Sequence, residues 1–232
     1  MSHPQSAVAI AIATVTEPAQ RNGDDPVRHL VGVALLHVTE RTSADISCKL
    51  SVRVIPAGVG EAALVDWLTE HLASDAKVIG WQLADDIVPA LLGAADEASP
   101  DDARAFVDAL ALAVGRGTLA LGDDYGGVAA PPFQQVCAAA NIITAPINPE
   151  ELLAAWGIGR MERIAEALGV NAIAAWRLSK LGENEAVRRD RFAAGLLSAW
   201  RRKARQTLAS HDFRHRAAIF LREPSNTEEE ND

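Results

Sequence analysis

Apolar and β-branched residues recur with strand periodicity three times near the start of the chain: AVAIAIATV at 7–15, HLVGVALLHV at 29–38 and ISCKLSVRVI at 46–55. Alternation marks a half-buried strand, and a short unbroken apolar run marks one covered on both faces. The gaps hold turn formers, Asn22-Gly23-Asp24-Asp25-Pro26 and Glu40-Arg41-Thr42-Ser43-Ala44-Asp45, at lengths suited to antiparallel hairpins. The pattern therefore predicts a three-strand antiparallel meander.

The period then changes. Residues 60–74 place Ala63, Leu64, Trp67, Leu68 and Leu72 at helical spacing, and 77–82 (KVIGWQ) reads as a short buried strand. A second helix is expected from about Asp85 to Ala95. Ser99-Pro100-Asp101-Asp102 supplies the capping signal for a third, through Ala103 to Val114, ended by Gly115. Past the glycine-rich passage of Gly122, Gly126 and Gly127, the chain from Pro132 to about Ser210 is helix-compatible, broken at 144–149 and 157–159. The expectation is an α/β protein with a mixed sheet flanked by helices and a helical C-terminal half.

At 232 residues and 49% hydrophobic composition, the chain suits one domain with a substantial core. We expect that domain over 1–222, with a basic helical extension over about 180–222 and a disordered acidic tail over 223–232. The net charge of -9 argues against a surface that binds nucleic acid everywhere, but the charge is uneven. Residues 177–222 hold twelve Lys or Arg against four Asp or Glu, about +8, and the remainder holds ten against 27, about -17. On the last helix, Arg188, Arg189, Arg201, Arg202, Lys203 and Arg205 can line a phosphate-contacting face. Alternatively they form the solvated side of an amphipathic helix whose core side is Ala193, Leu196, Leu197 and Trp200.

Other chemistry is sparse. Cys48 and Cys137 have no Cys or His at ligand spacing and read as buried thiols. The six histidines form no HExxH or HxH arrangement. His211 and His215 share a face if their segment is helical, but they lack an evident third ligand. The glycine-rich passage lacks the Lys and Ser/Thr of a phosphate-binding loop. No run of about 18 uncharged apolar residues occurs, and the first residues lack a basic leader pattern, so a cytoplasmic location without membrane insertion is expected.

Four short segments, taken in order, carry a family resemblance. Ala11-Ile12-Ala13-Thr14-Val15-Thr16-Glu17-Pro18 is similar to a motif normally written F-D-I-E-T-V-P. Val78-Ile79-Gly80-Trp81-Gln82-Leu83-Ala84-Asp85-Asp86-Ile87-Val88-Pro89 is similar to G-[YW]-N leading to F-D-L-P. Residues 133–142 resemble a helix usually opened by S-L-D. In Arg163 to Leu178, Ala167 and Asn171 take the places of Y-x-x-x-D. Over roughly 7–180 the chain thus resembles the DNA polymerase B-like 3′-5′ exonucleases of the ribonuclease H-like superfamily.

That resemblance implies a ribonuclease H-like fold and a site at Ala11, Ala13, Asp86, Ala167 and Asn171. Two-metal phosphodiester hydrolysis needs several carboxylates around paired cations, and only Asp86 retains one. Ala11 and Ala13 stand either for natural loss of catalysis, for a deliberate replacement of D-x-E, or for an Ala-rich core strand in an unrelated protein. Asp86 is a lone metal-ligand candidate or a first-turn acid that favours the helix dipole. The resemblance implies a non-catalytic domain that binds single-stranded nucleic acid or a protein partner, with no cofactor expected. The alternatives are an active exonuclease using Mg²⁺ or Mn²⁺, its metal site rebuilt with acids such as Asp123 or Asp124, and a structural or oligomerising protein.

Overall fold

The computed structural model describes residues 5–17, 27–42, 45–72, 76–146, 148–181, 186–204 and 210–218. The predicted meander forms as β1 (Gln5–Glu17), β2 (Val27–Thr42) and β3 (Asp45–Val54), paired antiparallel in sequence order. Helix α1 (Ala62–Leu72) then leads to β4 (Lys77–Gly80), which lies parallel to β1 on its other side. The predicted second helix opens as a π-helical turn over Leu83–Ile87 and continues as α2 (Val88–Ala95). Helix α3 (Pro100–Gly115) starts where expected, with the Ser99 side chain accepting the Asp102 N–H and Pro100 in the first turn.

A strand that the periodicity does not predict follows. The three-residue β5 (Thr118–Ala120) pairs parallel to β4 and is too short to show alternation. Helices α4 (Phe133–Ala139), α5 (Pro149–Gly157), α6 (Met161–Leu178) and α7 (Ala186–Ala204) occupy the helix-compatible stretch, with breaks at the predicted places.

The expected helical extension over 180–222 is corrected at its far end. Ser210–Ala218 forms β6, antiparallel to β3. The outer edge of β3 otherwise presents a row of unpaired backbone groups, and β6 supplies their partners. Positions 211 and 215 therefore lie about 13 Å apart along a strand rather than one helical turn apart, and the helical face expected of His211 and His215 does not exist. The acidic tail at 223–232 lies outside the described residues.

The result is a six-stranded mixed sheet in the order β5-β4-β1-β2-β3-β6, with a core on each face. Val8, Ile10, Leu30, Val33 and Leu35 point towards α1, α2 and α3. Ala9, Ala13, Ala34, Leu36 and Val52 point towards α5, α6 and α7. Both sides of β1 and β2 are covered, hence their nearly continuous apolar runs. Gly32 of β2 lets α6 lie close to the sheet, since a Cβ there would meet Leu168 Cδ1 at 2.8 Å. Among the described residues no helix is long and apolar enough to cross a membrane.

Candidate functional site

The positions singled out by the exonuclease-like motifs fall into separate environments. Alternation along β1 turns Ala11 and Ala13 to the α6 side, where Ala13 is buried and Ala11 partly so. Asp86, in the π-helical turn after β4, is ion-paired with Arg28 (Nη2 to Oδ1, 2.5 Å). The Arg28 Nε donates to Thr14 Oγ1 at 2.9 Å. Thr14 and Arg28 line a cavity with Pro89 and Ala90 of α2, and the Asp86 carboxylate is tied to this Arg28. The pair is solvent-exposed, with side-chain exposures of 46% and 38%, and such pairs contribute little stability.

Asn171 has both ends of its amide engaged by one residue of the loop before α5. Its Oδ1 accepts the Ala145 N–H at 3.0 Å, and its Nδ2 donates to the Ala145 carbonyl at 3.0 Å. One turn earlier on α6, Ala167 lines a cavity of only about 40 Å³ with Pro146, Leu152 and Ala155, far below the size of a nucleotide pocket. Asp123 and Asp124 are exposed in a 3₁₀ turn after β5. Asp86 is thus committed to a cation of the protein, and Asn171 to the backbone.

The basic residues also separate. Arg189 does not face solvent: its Nη2 and Nε donate to Glu40 Oε2 at 2.9 and 3.2 Å. Lys180 Nζ lies 3.3 Å from Glu40 Oε1, and all three side chains are nearly buried. Its expected place on a phosphate-contacting face is therefore taken by an internal ion-pair network. Arg201 and Arg202, by contrast, line an open groove between α6 and α7 together with Arg177. The groove has a volume of about 410 Å³ and an apolar floor that includes Ile142, Ile173 and Leu197. Arg177 is paired with Asp190 at 2.7 Å, and Arg202 Nη1 donates to Ser198 Oγ at 3.0 Å. No ion-pair partner for Arg201 occurs among the described residues. Lys203 follows on α7. For Arg188 only the backbone is described, and Arg205 lies outside the described residues.

Aromatic side chains stand on the same sheet face. Trp81, just past β4, has ring centroids 5.7 Å from Tyr125 and 5.4 Å from Phe133. Trp81 and Phe133 pack beside Ala11 against the α6-side core, while Tyr125 is 40% exposed. Phe133 opens α4, and Ile142 follows its end, so this short helix, roughly 10 Å long, connects the aromatic group to the arginine groove. Trp81, Phe133 and Arg177 fall inside the motif-like segments but none of these marks them as a site, and Tyr125 lies outside all of them. These residues come together only through the turns after β4 and β5 and the packing of α6.

A third constellation, absent from the sequence reading, lies on the other face. His29, Glu61 and Glu97 each present a ligand-type atom within 4.8 Å of the others. They are too far apart in sequence to form a motif.

Cys48 and Cys137 are both buried, as their apolar neighbours suggest. Burial pushes the Cys137 thiol from 9.0 up to about 12, with Arg177 opposing only in part. Its neutral form is thus favoured in the fold. The stabilisation is fully present below pH 9.0 and is lost as pH rises towards about 12. In the native protein Cys137 is expected to resist thiol reagents near pH 8 and to react once urea unfolds the chain, which absorbance with a disulfide reagent measures.

These features define an α/β protein built on a mixed sheet with helices on both faces, carrying a basic, aromatic-flanked groove on one face. Comparison of the chain with protein-family models, with curated proteins and with solved structures gives no match to any of them.

Proposed function

We propose that this chain is a ribonuclease H-like domain that has lost exonuclease chemistry and binds single-stranded nucleic acid along the α6–α7 groove. The order β5-β4-β1-β2-β3, with β4 and β5 parallel to β1, is the one expected of a ribonuclease H-like sheet, and it supports the fold reading. The loss of chemistry is supported by the engagement of Asp86 with Arg28 and of Asn171 with Ala145. Asp86 is the one carboxylate among the five motif positions, which falls short of the several-carboxylate cage that two hard divalent ions demand.

The observation that carries the binding reading is the groove itself, where Arg177, Arg201 and Arg202 rim an apolar floor. Single strands are held by cations that follow the phosphates and by apolar or aromatic surfaces against which bases lie. The groove supplies both, and the Trp81–Tyr125–Phe133 group extends it with exposed ring surface at Tyr125.

Fluorescence anisotropy with labelled single-stranded DNA and RNA tests this. Binding is expected to weaken with salt at a slope of about -0.7 per phosphate neutralised. Reversing both Arg201 and Arg202 to Glu should weaken binding about tenfold or more and flatten the slope by roughly 1.4. No binding at low salt overturns the proposal in favour of a protein partner. Mg²⁺- or Mn²⁺-dependent 3′-5′ degradation abolished by Asp86→Asn overturns the loss of catalysis.

A further inference from the structure

We infer that His29, Glu61 and Glu97 form a site for a single divalent transition cation, with Zn²⁺ as the preferred occupant. This inference is independent of the nucleic-acid groove, which lies on the opposite sheet face. The three residues come from distant segments. His29 stands near the start of β2, Glu61 immediately precedes α1, and Glu97 lies in the turn between α2 and α3. Folding nevertheless brings one ligand-type atom from each to within 4.8 Å of the others.

The electrostatics of the cluster call for a cation. Glu61 is only 7% exposed, and its carboxylate has a single side-chain partner, His29 Nδ1, at 3.0 Å from Oε1. Its second oxygen has no hydrogen-bond partner among the described residues. Glu97 Oε2 accepts the Glu61 backbone N–H at 3.0 Å, which leaves its other oxygen uncommitted. No Lys or Arg among the described residues pairs with either carboxylate. A carboxylate withdrawn from water without a compensating charge is costly, and a second one beside it adds repulsion.

The amino end of α1 favours negative charge and accounts for the Glu97 contact to the Glu61 N–H. It does not account for a buried second carboxylate joined to an imidazole. A divalent ion at the centre of the three would neutralise both acids and accept the neutral imidazole.

The donor set narrows the ion. One imidazole with two carboxylates suits Zn²⁺, and next Mn²⁺, better than the all-oxygen shells of Ca²⁺ and Mg²⁺ or the thiolate shells of Cu⁺. With bonds of about 2.0–2.2 Å, tetrahedral zinc sets its donors roughly 3.4 Å apart, so the present spacing closes with modest side-chain rotation. Cavities of about 250 and 390 Å³ both include His29, Glu61 and Glu97 in their walls. They leave room for an ion to enter and for water to complete its shell. The 3.0 Å contact between His29 Nδ1 and Glu61 Oε1 already sets two of the three donors side by side, and a bound ion would replace the proton they share.

The test uses the full chain freed of metal with a chelator and titrated calorimetrically with Zn²⁺, then with Mn²⁺. The expected result is one ion per chain, a midpoint of thermal unfolding raised by saturating ion, and tighter binding of Zn²⁺. Glu97 is exposed, and a Gln amide oxygen can still accept the Glu61 N–H, so Glu97→Gln should fold normally and bind at least tenfold more weakly. His29→Gln should weaken binding further. Absence of one-to-one binding of either ion to the unaltered chain overturns the inference. So does binding that persists unchanged in a folded Glu97→Gln variant, because the ion is then held elsewhere.

Discussion

Glu40→Ala is expected to destabilise the protein by about 3–5 kcal/mol, the cost of leaving a buried charge without its partner. Glu40, near the end of β2, is 9% exposed and receives Arg189 Nη2 at 2.9 Å and Lys180 Nζ at 3.3 Å. The two cations come from the beginning of α7 and from just after α6, so this one carboxylate joins the α6–α7 hairpin to the sheet. Its removal takes from two partly desolvated cations the carboxylate they share and weakens that attachment. A urea denaturation midpoint measures the loss. Replacing Glu40, Lys180 and Arg189 together by Leu should restore most of it, since a well-packed apolar set usually equals or exceeds a buried ion network. A loss below about 1 kcal/mol for Glu40→Ala would place these side chains in the class of exposed pairs.

Gly169→Ala is the second large effect, and its sign runs against helix propensity. In an ordinary helix interior this change gains up to about 1 kcal/mol. Here a Cβ would stand 2.3 Å from Trp200 Nε1 and 2.4 Å from Cε2. Trp200 is fully buried, and its Nε1 donates to the Glu166 carbonyl at 3.1 Å, so the ring cannot withdraw without breaking that bond and reopening the α6–α7 contact. Overpacking of this kind costs about 1–3 kcal/mol, and we expect a net loss near the upper end. Thermal unfolding followed by tryptophan fluorescence checks it. Because Arg201 and Arg202 sit one to two residues beyond Trp200, the same variant should also weaken the nucleic-acid binding proposed for the groove. A stabilised Gly169→Ala variant would mean that α6 and α7 are not in this close contact.

Much of the architecture was legible because it depends on local rules. The β1–β3 meander follows from apolar runs separated by turn residues, and α3 begins at the Ser99-Pro100 cap. The breaks before α5 and α6 fall at Asn148-Pro149 and Gly157-Ile158-Gly159. The two missed strands had no local signal. β5 has three residues, and β6 lies in a polar, His- and Arg-rich stretch whose strand form depends on pairing with β3.

The candidate sites were less legible for a related reason. A run of arginines on α7 reads as one basic face, yet Arg189 turns inward to Glu40 while Arg201 and Arg202 open onto the groove. Asp86 reads as a lone metal-ligand candidate after β4, but its partner Arg28 lies 58 residues away.

The sequence by itself determined the meander, the succession of helices and the concentration of positive charge towards the end of the chain. It also determined that positions 11 and 13 are alanine, so no folding can place a carboxylate there. These are properties of side-chain identity and short-range spacing. Only the tertiary structure decided which charges are neutralised internally, which arginines face a groove, and that His29, Glu61 and Glu97 meet. Coulombic and ligand interactions act over a few ångströms of space, and the residues that share that space here are brought together by sheet pairing and helix packing across dozens of positions in the chain.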